Sequence, residues 1–210
     1  MKRLIAGVVL IILAGCETAY YGAWEKLGVE KRDILVDRIE NTQEAQQEAQ
    51  EEFKDALEQY RAVVNFDGGD LEKLYNRLSA EYEDSEAAAK AIAKHIESVE
   101  RVAEDLFDEW QREIGEIQNA SLRNDSNRKL RDTRRKYRQL IASMRSAEKS
   151  VYPVLTTLKD QVLYLKHNLN AQAIASLKGE LRSIDADVNR LVAQMQRSID
   201  EANDFINRLK

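Results

Sequence analysis

Cysteine, proline and glycine are all scarce in this chain of 210 residues. Cys16 is the only cysteine, which excludes a disulfide within the chain and a metal site made of several thiolates. Proline occurs once, at Pro153, and four of the eight glycines lie in the first 28 residues. Since few residues break helices and Ala, Glu, Lys, Arg, Gln and Leu are abundant, the composition predicts a mostly helical protein.

Residues that carry out chemistry are also few. His95 and His167 are the only histidines, and the sequence contains no HExxH motif, no cysteine pair and no EF-hand loop. Asp67, Asp70 and Glu72 flank a glycine pair, where turn and helix-capping roles account for them. We therefore predict no catalytic residue, no metal site and no cofactor, and we expect that the protein is not an enzyme.

The first fifteen residues have the order of an export signal. Lys2 and Arg3 are followed by the uncharged run LIAGVVLIILAG, which is too short to span a bilayer. The residues before the cysteine are small or apolar: Leu13, Ala14 and Gly15. LAGC resembles the lipobox of bacterial lipoproteins, which implies a signal peptide over residues 1–15 and a lipid on Cys16. An ordinary signal peptide with a coincidental cysteine and a short membrane anchor are the alternatives.

The exported chain would carry 30 basic and 37 acidic residues, because the signal contains only two charged residues. A net negative body argues against nucleic acid as a partner. Position 17 is Glu, whereas Asp after the lipidated cysteine is the usual inner-membrane retention signal of enterobacterial lipoproteins. The resemblance therefore implies a lipid-anchored protein on the periplasmic side of the cell envelope, in the outer membrane rather than the inner one.

Residues 16–30 form a predicted tether with several aromatic side chains. Tyr20, Tyr21 and Trp24 lie within eight residues of Cys16. Such rings are favoured in the headgroup region of a membrane. Packing on the helical body is an equally good interpretation at this point.

Beyond the tether, apolar residues recur at alternating steps of four and three, the spacing of a coiled-coil seam. The first seam contains two polar positions, Thr42 and Gln46, and the third contains Thr133. These interruptions indicate register control or incomplete burial, and incomplete burial would favour a homo-oligomer. The nine positions of the first seam are Leu35, Ile39, Thr42, Gln46, Ala49, Phe53, Ala56, Tyr60 and Val63.

Three further seams follow, and together they predict an all-α fold: an elongated antiparallel bundle of about four long coiled-coil-like helices. The predicted helices cover residues 31–65, 70–119, 127–168 and 171–209, within one domain over residues 31–210. Polar residues 119–127 (NASLRNDSN) are predicted to form a hairpin tip. We expect a kink or a tight re-start of the third helix at Pro153.

The charges of the second and third predicted helices support antiparallel pairing of these two helices. Residues 97–116 contain eight acids and two bases, and residues 123–145 contain nine bases and two acids. A turn at residues 119–127 would lay the two blocks side by side, where opposite charges select antiparallel pairing.

The basic block also has an alternative role, as a patch for an anionic partner such as lipid headgroups or acidic envelope polymers. Pairing within the chain is the preferred interpretation because the compensating acids are present. Use as a membrane-binding module would require the two blocks to be separated. The patch consists of Arg123, Arg128, Lys129, Arg131, Arg134, Arg135, Lys136 and Arg138.

Several segments are similar to proteobacterial lipoproteins grouped as domain-of-unknown-function family 2959. These are KRDILVDRIENTQEAQ, VVNFDGGDLEKLYNRL, YEDSEAAA, SLRNDSNRKLRDTRRKY and LKDQVLYLKHNLNAQAIASL. The resemblance extends from about Tyr20 onward. It implies a helical envelope lipoprotein, and it implies no activity, substrate or catalytic residue.

The anchor, the long seams and the lack of catalytic motifs lead to one expected function. The protein would be a non-catalytic structural or protein-interaction rod, tethered to a membrane and binding an envelope protein. The alternative is a module that binds or remodels a membrane surface through residues 123–138.

Overall fold

The computed structural model describes residues 30–209, and four helices account for nearly all of them. They are α1 (Lys31–Val64), α2 (Leu71–Glu116), α3 (Ala120–His167) and α4 (Ala171–Leu209). At about 1.5 Å per residue, α2 and α3 are each roughly 70 Å long. The all-α prediction is confirmed for this part of the chain.

The helices pack in a ring, in which each contacts its neighbours in the chain and α4 returns to contact α1. Two hydrogen bonds show the antiparallel register of α1 and α4. Gln46 Nε2 donates to Ser198 Oγ over 3.1 Å, and further along α1 the Tyr60 hydroxyl donates to the Leu177 carbonyl over 2.8 Å.

All nine positions of the first predicted seam are fully buried. Seam residues of α2, α3 and α4 such as Ile92, Met144 and Val188 join the same core. Leu169 continues the apolar spacing of the third seam, four residues after Leu165, but it is 40% exposed because it lies after the end of α3. The period of the apolar residues therefore located the core correctly over most of the bundle.

The turn between α1 and α2 is made by two glycines and a capping side chain. Gly68 and Gly69 both have positive φ, a conformation that glycine adopts without a steric penalty. The Asp70 carboxylate then accepts from the Lys73 backbone N–H and begins α2. This agrees with the turn and capping roles predicted for the segment.

The predicted hairpin tip at residues 119–127 is wrong. Only residues 117–119 connect α2 to α3, and the helix begins at Ala120. Asn119 is the reason, since its side-chain oxygen accepts from the backbone N–H groups of Ser121 and Leu122. The polar residues that follow occupy exposed or half-buried positions, where a helix can carry them at little cost.

Of the two outcomes predicted at Pro153, a kink or a tight re-start of the third helix, the re-start is wrong. Helix α3 continues through Pro153, with the ring exposed and with Val151 and Val154 buried on the core side. Proline has no backbone N–H, so the carbonyl of Lys149, four residues earlier, lacks its helical hydrogen-bond donor. Lys149 is exposed. Burial on the core side preserves the helix across the missing hydrogen bond.

Candidate functional site

The predicted lipidation residue Cys16 and the signal residues Leu13, Ala14 and Gly15 lie outside the described residues. The described chain begins at Glu30, directly before α1. The segment that carries the predicted lipid therefore joins the bundle at the end where α1 begins, which we call the anchor end. The opposite end carries the α1–α2 and α3–α4 turns, and we call it the distal end.

At the anchor end, the α2–α3 hairpin projects beyond the other two helices. Lys31 at the start of α1 pairs with Glu109 at 3.2 Å, and α2 continues seven residues further, or about 10 Å. Trp110 Nε1 donates to Ser126 Oγ over 2.9 Å and links the two helices of this projection. We call the paired residues 110–116 and 120–130 the hairpin extension.

The basic block lies on the hairpin extension and on the two turns of α3 that follow. Four of its arginines are exposed and share one face of the helix, at spacings of three and four residues. Arg134 differs, since it is half-buried, lies 5.5 Å from the centre of the Phe107 ring and donates to the Phe107 carbonyl over 3.2 Å. The four exposed arginines that share this face, here called the arginine stripe, are Arg128, Arg131, Arg135 and Arg138.

The structure confirms that the acidic and basic blocks lie on adjacent helices. Arg145 Nε donates to Glu100 Oε1 over 3.1 Å, and Arg134 lies 3.8 Å from Asp108. Other pairs are local to α3: Arg128 and Lys129 with Asp125, and Arg135 with Asp132. Charge thus assists the hairpin at two points, while the arginine stripe faces solvent.

A cavity of about 470 Å³ lies beside the hairpin extension, where α1 begins and α4 ends. Its apolar surface comes from Leu106, Trp110 and Leu209, which are only partly buried although they pack against the core. Thr133, the polar position of the third seam, also lines it. We call it the ledge cavity, and residues 30–209 cover the third seam incompletely there.

The distal half of the rod presents apolar side chains to solvent. Tyr152 is 50% exposed and Leu163 is 48% exposed, and they share a face of α3 with Thr156 and Lys159. Beside Tyr152, a groove of about 210 Å³ runs between α2 and α3, with Tyr82 on its other wall. Tyr164 and Leu169 are each 40% exposed, further toward the distal end.

An acidic cluster between α1 and α2 was not predicted. Carboxylate oxygens of Glu52, Glu81 and Asp84 lie within 4.8 Å of one another. Burial, with added repulsion from neighbouring carboxylates, raises the pKa of Glu52 and Glu81. Raised folded-state pKa values mean that this cluster weakens the fold at neutral pH and weakens it less in acid. Sequence spacing gave no signal for it, because the three residues come from two helices.

The polar seam residues are buried rather than exposed. Thr42 and Gln46 are fully inaccessible, and the Thr42 hydroxyl donates to the Arg38 carbonyl over 2.8 Å. Gln43 Nε2 donates to the Ile199 carbonyl over 3.0 Å. Gln46 Oε1 and Gln50 Nε2 have no hydrogen-bond partner within residues 30–209. Incomplete burial is thus excluded for the first seam, and register control remains the prediction.

The histidines lie apart. His95 is half-buried in the middle of α2, and His167 is exposed at the end of α3. The two histidines therefore lie on different helices and at different levels of the rod, and they do not form one site.

A family model described as "Protein of unknown function (DUF2959)" matches residues 20–209. The chain belongs to the DUF2959 family. This confirms the resemblance seen in the sequence. No curated protein and no solved structure matches the chain at a significant level.

The DUF2959 match begins ahead of the anchor end, within the predicted tether. It starts at residue 20, eleven residues before α1, so the family's shared region includes most of the predicted tether. In residues 30–209, none of the helices combines the length and the hydropathy that a membrane-spanning segment requires.

Proposed function

We propose that this protein is a non-catalytic rod of the cell envelope, anchored by a lipid on Cys16 and binding a protein partner along its distal half. One observation carries the proposal: the described chain begins at the anchor end, whereas the face of α3 that exposes Tyr152 and Leu163 lies in the distal half of the rod. A partner bound at the distal half would be held away from the membrane. Anchoring and binding would then not compete for the same surface.

The length of the bundle supports this arrangement. Thr133 lies near the level at which α1 begins, and Leu163 is thirty residues further along α3. A helix rises about 1.5 Å per residue, so the two positions are separated by about 45 Å. The rod therefore has the reach to place a binding surface well beyond the headgroups.

The distal face has the composition of a protein interface. Tyrosine and other aromatic residues are enriched in interface cores, and they contribute much of the binding energy when a partner buries them. Tyr152 and Leu163 are about half exposed in the rod, so a partner helix laid along α3 would cover both. Lys90 and Glu86, paired at 2.7 Å beside the groove, provide a polar rim.

Site-specific photo-crosslinking in intact cells tests this function. A photoreactive amino acid at Leu163 should yield a discrete adduct with an envelope protein, whereas the same group at exposed Arg190 on α4 should not. Adding Tyr152→Glu to the Leu163 probe should abolish most of the adduct. Equal adducts from both positions, or none from Leu163, would count against a distal binding face.

A second candidate function, docking on an anionic membrane surface, is favoured by the arginine stripe. Residues 108–138 carry nine basic and six acidic residues in a chain whose formal net charge is −5, so positive charge is concentrated near the anchor end. Basic residues near an anionic bilayer contribute about 1 kcal/mol each. The adjacency of the two charge blocks weighs against it, since the acidic block lies beside the stripe.

Vesicle sedimentation of residues 17–210 tests whether the arginine stripe binds membranes. If the stripe binds membranes, pelleting with phosphatidylglycerol vesicles at low salt should be lost in Arg131→Glu/Arg138→Glu. The pair Arg77→Glu/Arg182→Glu, on other helices, makes the same change in net charge and should retain binding. No pelleting of the unmodified protein would exclude this function.

A further inference from the structure

At the ledge cavity, where α1 begins and α4 ends, residues 30–209 leave apolar surface uncovered. Leu106, Trp110 and Leu209 contribute to its wall, and charged side chains of both signs surround it. Its volume of about 470 Å³ falls within the range of roughly 300–1,000 Å³ that is common for binding pockets. An occupant with apolar side chains would complete the third seam around Thr133.

The described chain begins at this cavity, with Glu30. Glu30 and Arg32 both line it, so the residues that precede Glu30 are attached at its edge. A segment tethered this closely acts at an effective concentration in the millimolar range. This proximity favours it over an occupant that must arrive from solution.

The composition of that segment suits the cavity. Tyr20, Trp24 and Leu27 are spaced by four and three residues, the same spacing as the seams of the bundle. The ten residues ahead of Glu30 also fall inside the DUF2959 match, whereas residues 1–19 do not. Those residues therefore belong to the same family unit as the bundle.

We propose that residues 20–29 occupy the ledge cavity and place Trp24 against Leu106 and Thr133. The aromatic residues then pack on the helical body and not in the headgroup region. The four-residue stretch from Cys16 to Tyr20 spans at most about 14 Å, whereas the fourteen residues to Glu30 would span up to about 48 Å. With a lipid on Cys16, this docking holds the anchor end and its arginine stripe close to the membrane.

Crosslinking between two introduced cysteines in full-length protein in cells tests the docking. Ala23→Cys with Lys129→Cys retains Trp24 and Thr133, and it should give an intrachain link with a short bismaleimide. Adding Trp24→Ser, or filling the cavity with Thr133→Trp, should reduce that link by at least about tenfold, because the docked population falls. Each single-cysteine variant reveals any reaction with Cys16.

Two control pairs make the result decisive. Ser146→Cys with Gln194→Cys joins residues that are hydrogen-bonded across α3 and α4, and it must link in every variant in which the bundle is folded. Ala23→Cys with Arg77→Cys, at the distal end, should not link. A folded protein with no Ala23–Lys129 link would overturn the proposal. Links found only between two chains would show that a second copy fills the cavity, which also overturns it.

Discussion

Cys16→Ser is expected to release the protein from membranes or to leave it as an unprocessed precursor, because the substitution removes the sulfur that would carry the lipid. Burial of an acyl chain contributes about 0.8 kcal/mol per methylene, and two or more chains make anchoring stable. Fractionation of cells, with the intact mass of the mature protein, measures the outcome. This is the largest effect we expect, since the change is from complete to no lipid anchoring.

Glu17→Asp is the matched control. It retains Cys16 and the acylation signal, so the protein should stay lipidated and membrane-bound. By the resemblance to enterobacterial lipoproteins, it should move from the outer to the inner membrane. If Cys16→Ser leaves both the processing and the membrane association unchanged, the lipoprotein assignment is wrong.

Gln46→Leu combined with Ser198→Ala is expected to raise the free energy of unfolding by about 2 kcal/mol, because a buried unsatisfied polar atom costs about 1–3 kcal/mol. Both side chains are fully buried, and their hydrogen bond leaves Gln46 Oε1 without a partner in the described chain. Because the double variant removes the Gln46 amide and the Ser198 hydroxyl together, neither group is left in the core without its partner. Urea unfolding monitored by circular dichroism should show a higher midpoint at an unchanged slope.

Gln46→Ala alone supplies the opposite control. It leaves Ser198 Oγ without its donor and opens a space in the core, so the free energy of unfolding should fall by about 2 kcal/mol. Size-exclusion chromatography of the double variant tests register control, because buried polar groups in a helical seam specify pairing and oligomeric state. A double variant less stable than the natural chain would mean that the buried pair contributes net stability.

The core was predictable because its signal is local and periodic. A side chain every three or four residues must face the same side of a helix, whatever the neighbouring helix turns out to be. Leu35, Phe53 and Val63 are fully buried as predicted. The pairing of the charged blocks was also predictable, since Glu100 and Arg145 come from segments that a single turn brings together.

The errors arose where local composition has two physical outcomes. Polar residues such as Asn124 and Ser126 suit a loop and suit an exposed helix equally well. The capping hydrogen bonds of Asn119 favour a helix at these positions. The start of α3 projects beyond α1, which explains why its side chains are mostly exposed. Thr42 and Thr133 looked alike in sequence, but one is inside the bundle and the other faces the ledge cavity.

The amino-acid pattern was enough to predict the all-helical class, the four long amphipathic segments and most of the buried positions, because helix period and breaker residues act over a few residues. Packing in three dimensions was needed to establish where those segments start and stop relative to one another. That offset creates the hairpin extension and the ledge cavity, brings Glu52, Glu81 and Asp84 together, and separates the anchor end from the apolar distal face. Such features depend on the axial register of different helices, which is set by packing across the whole bundle.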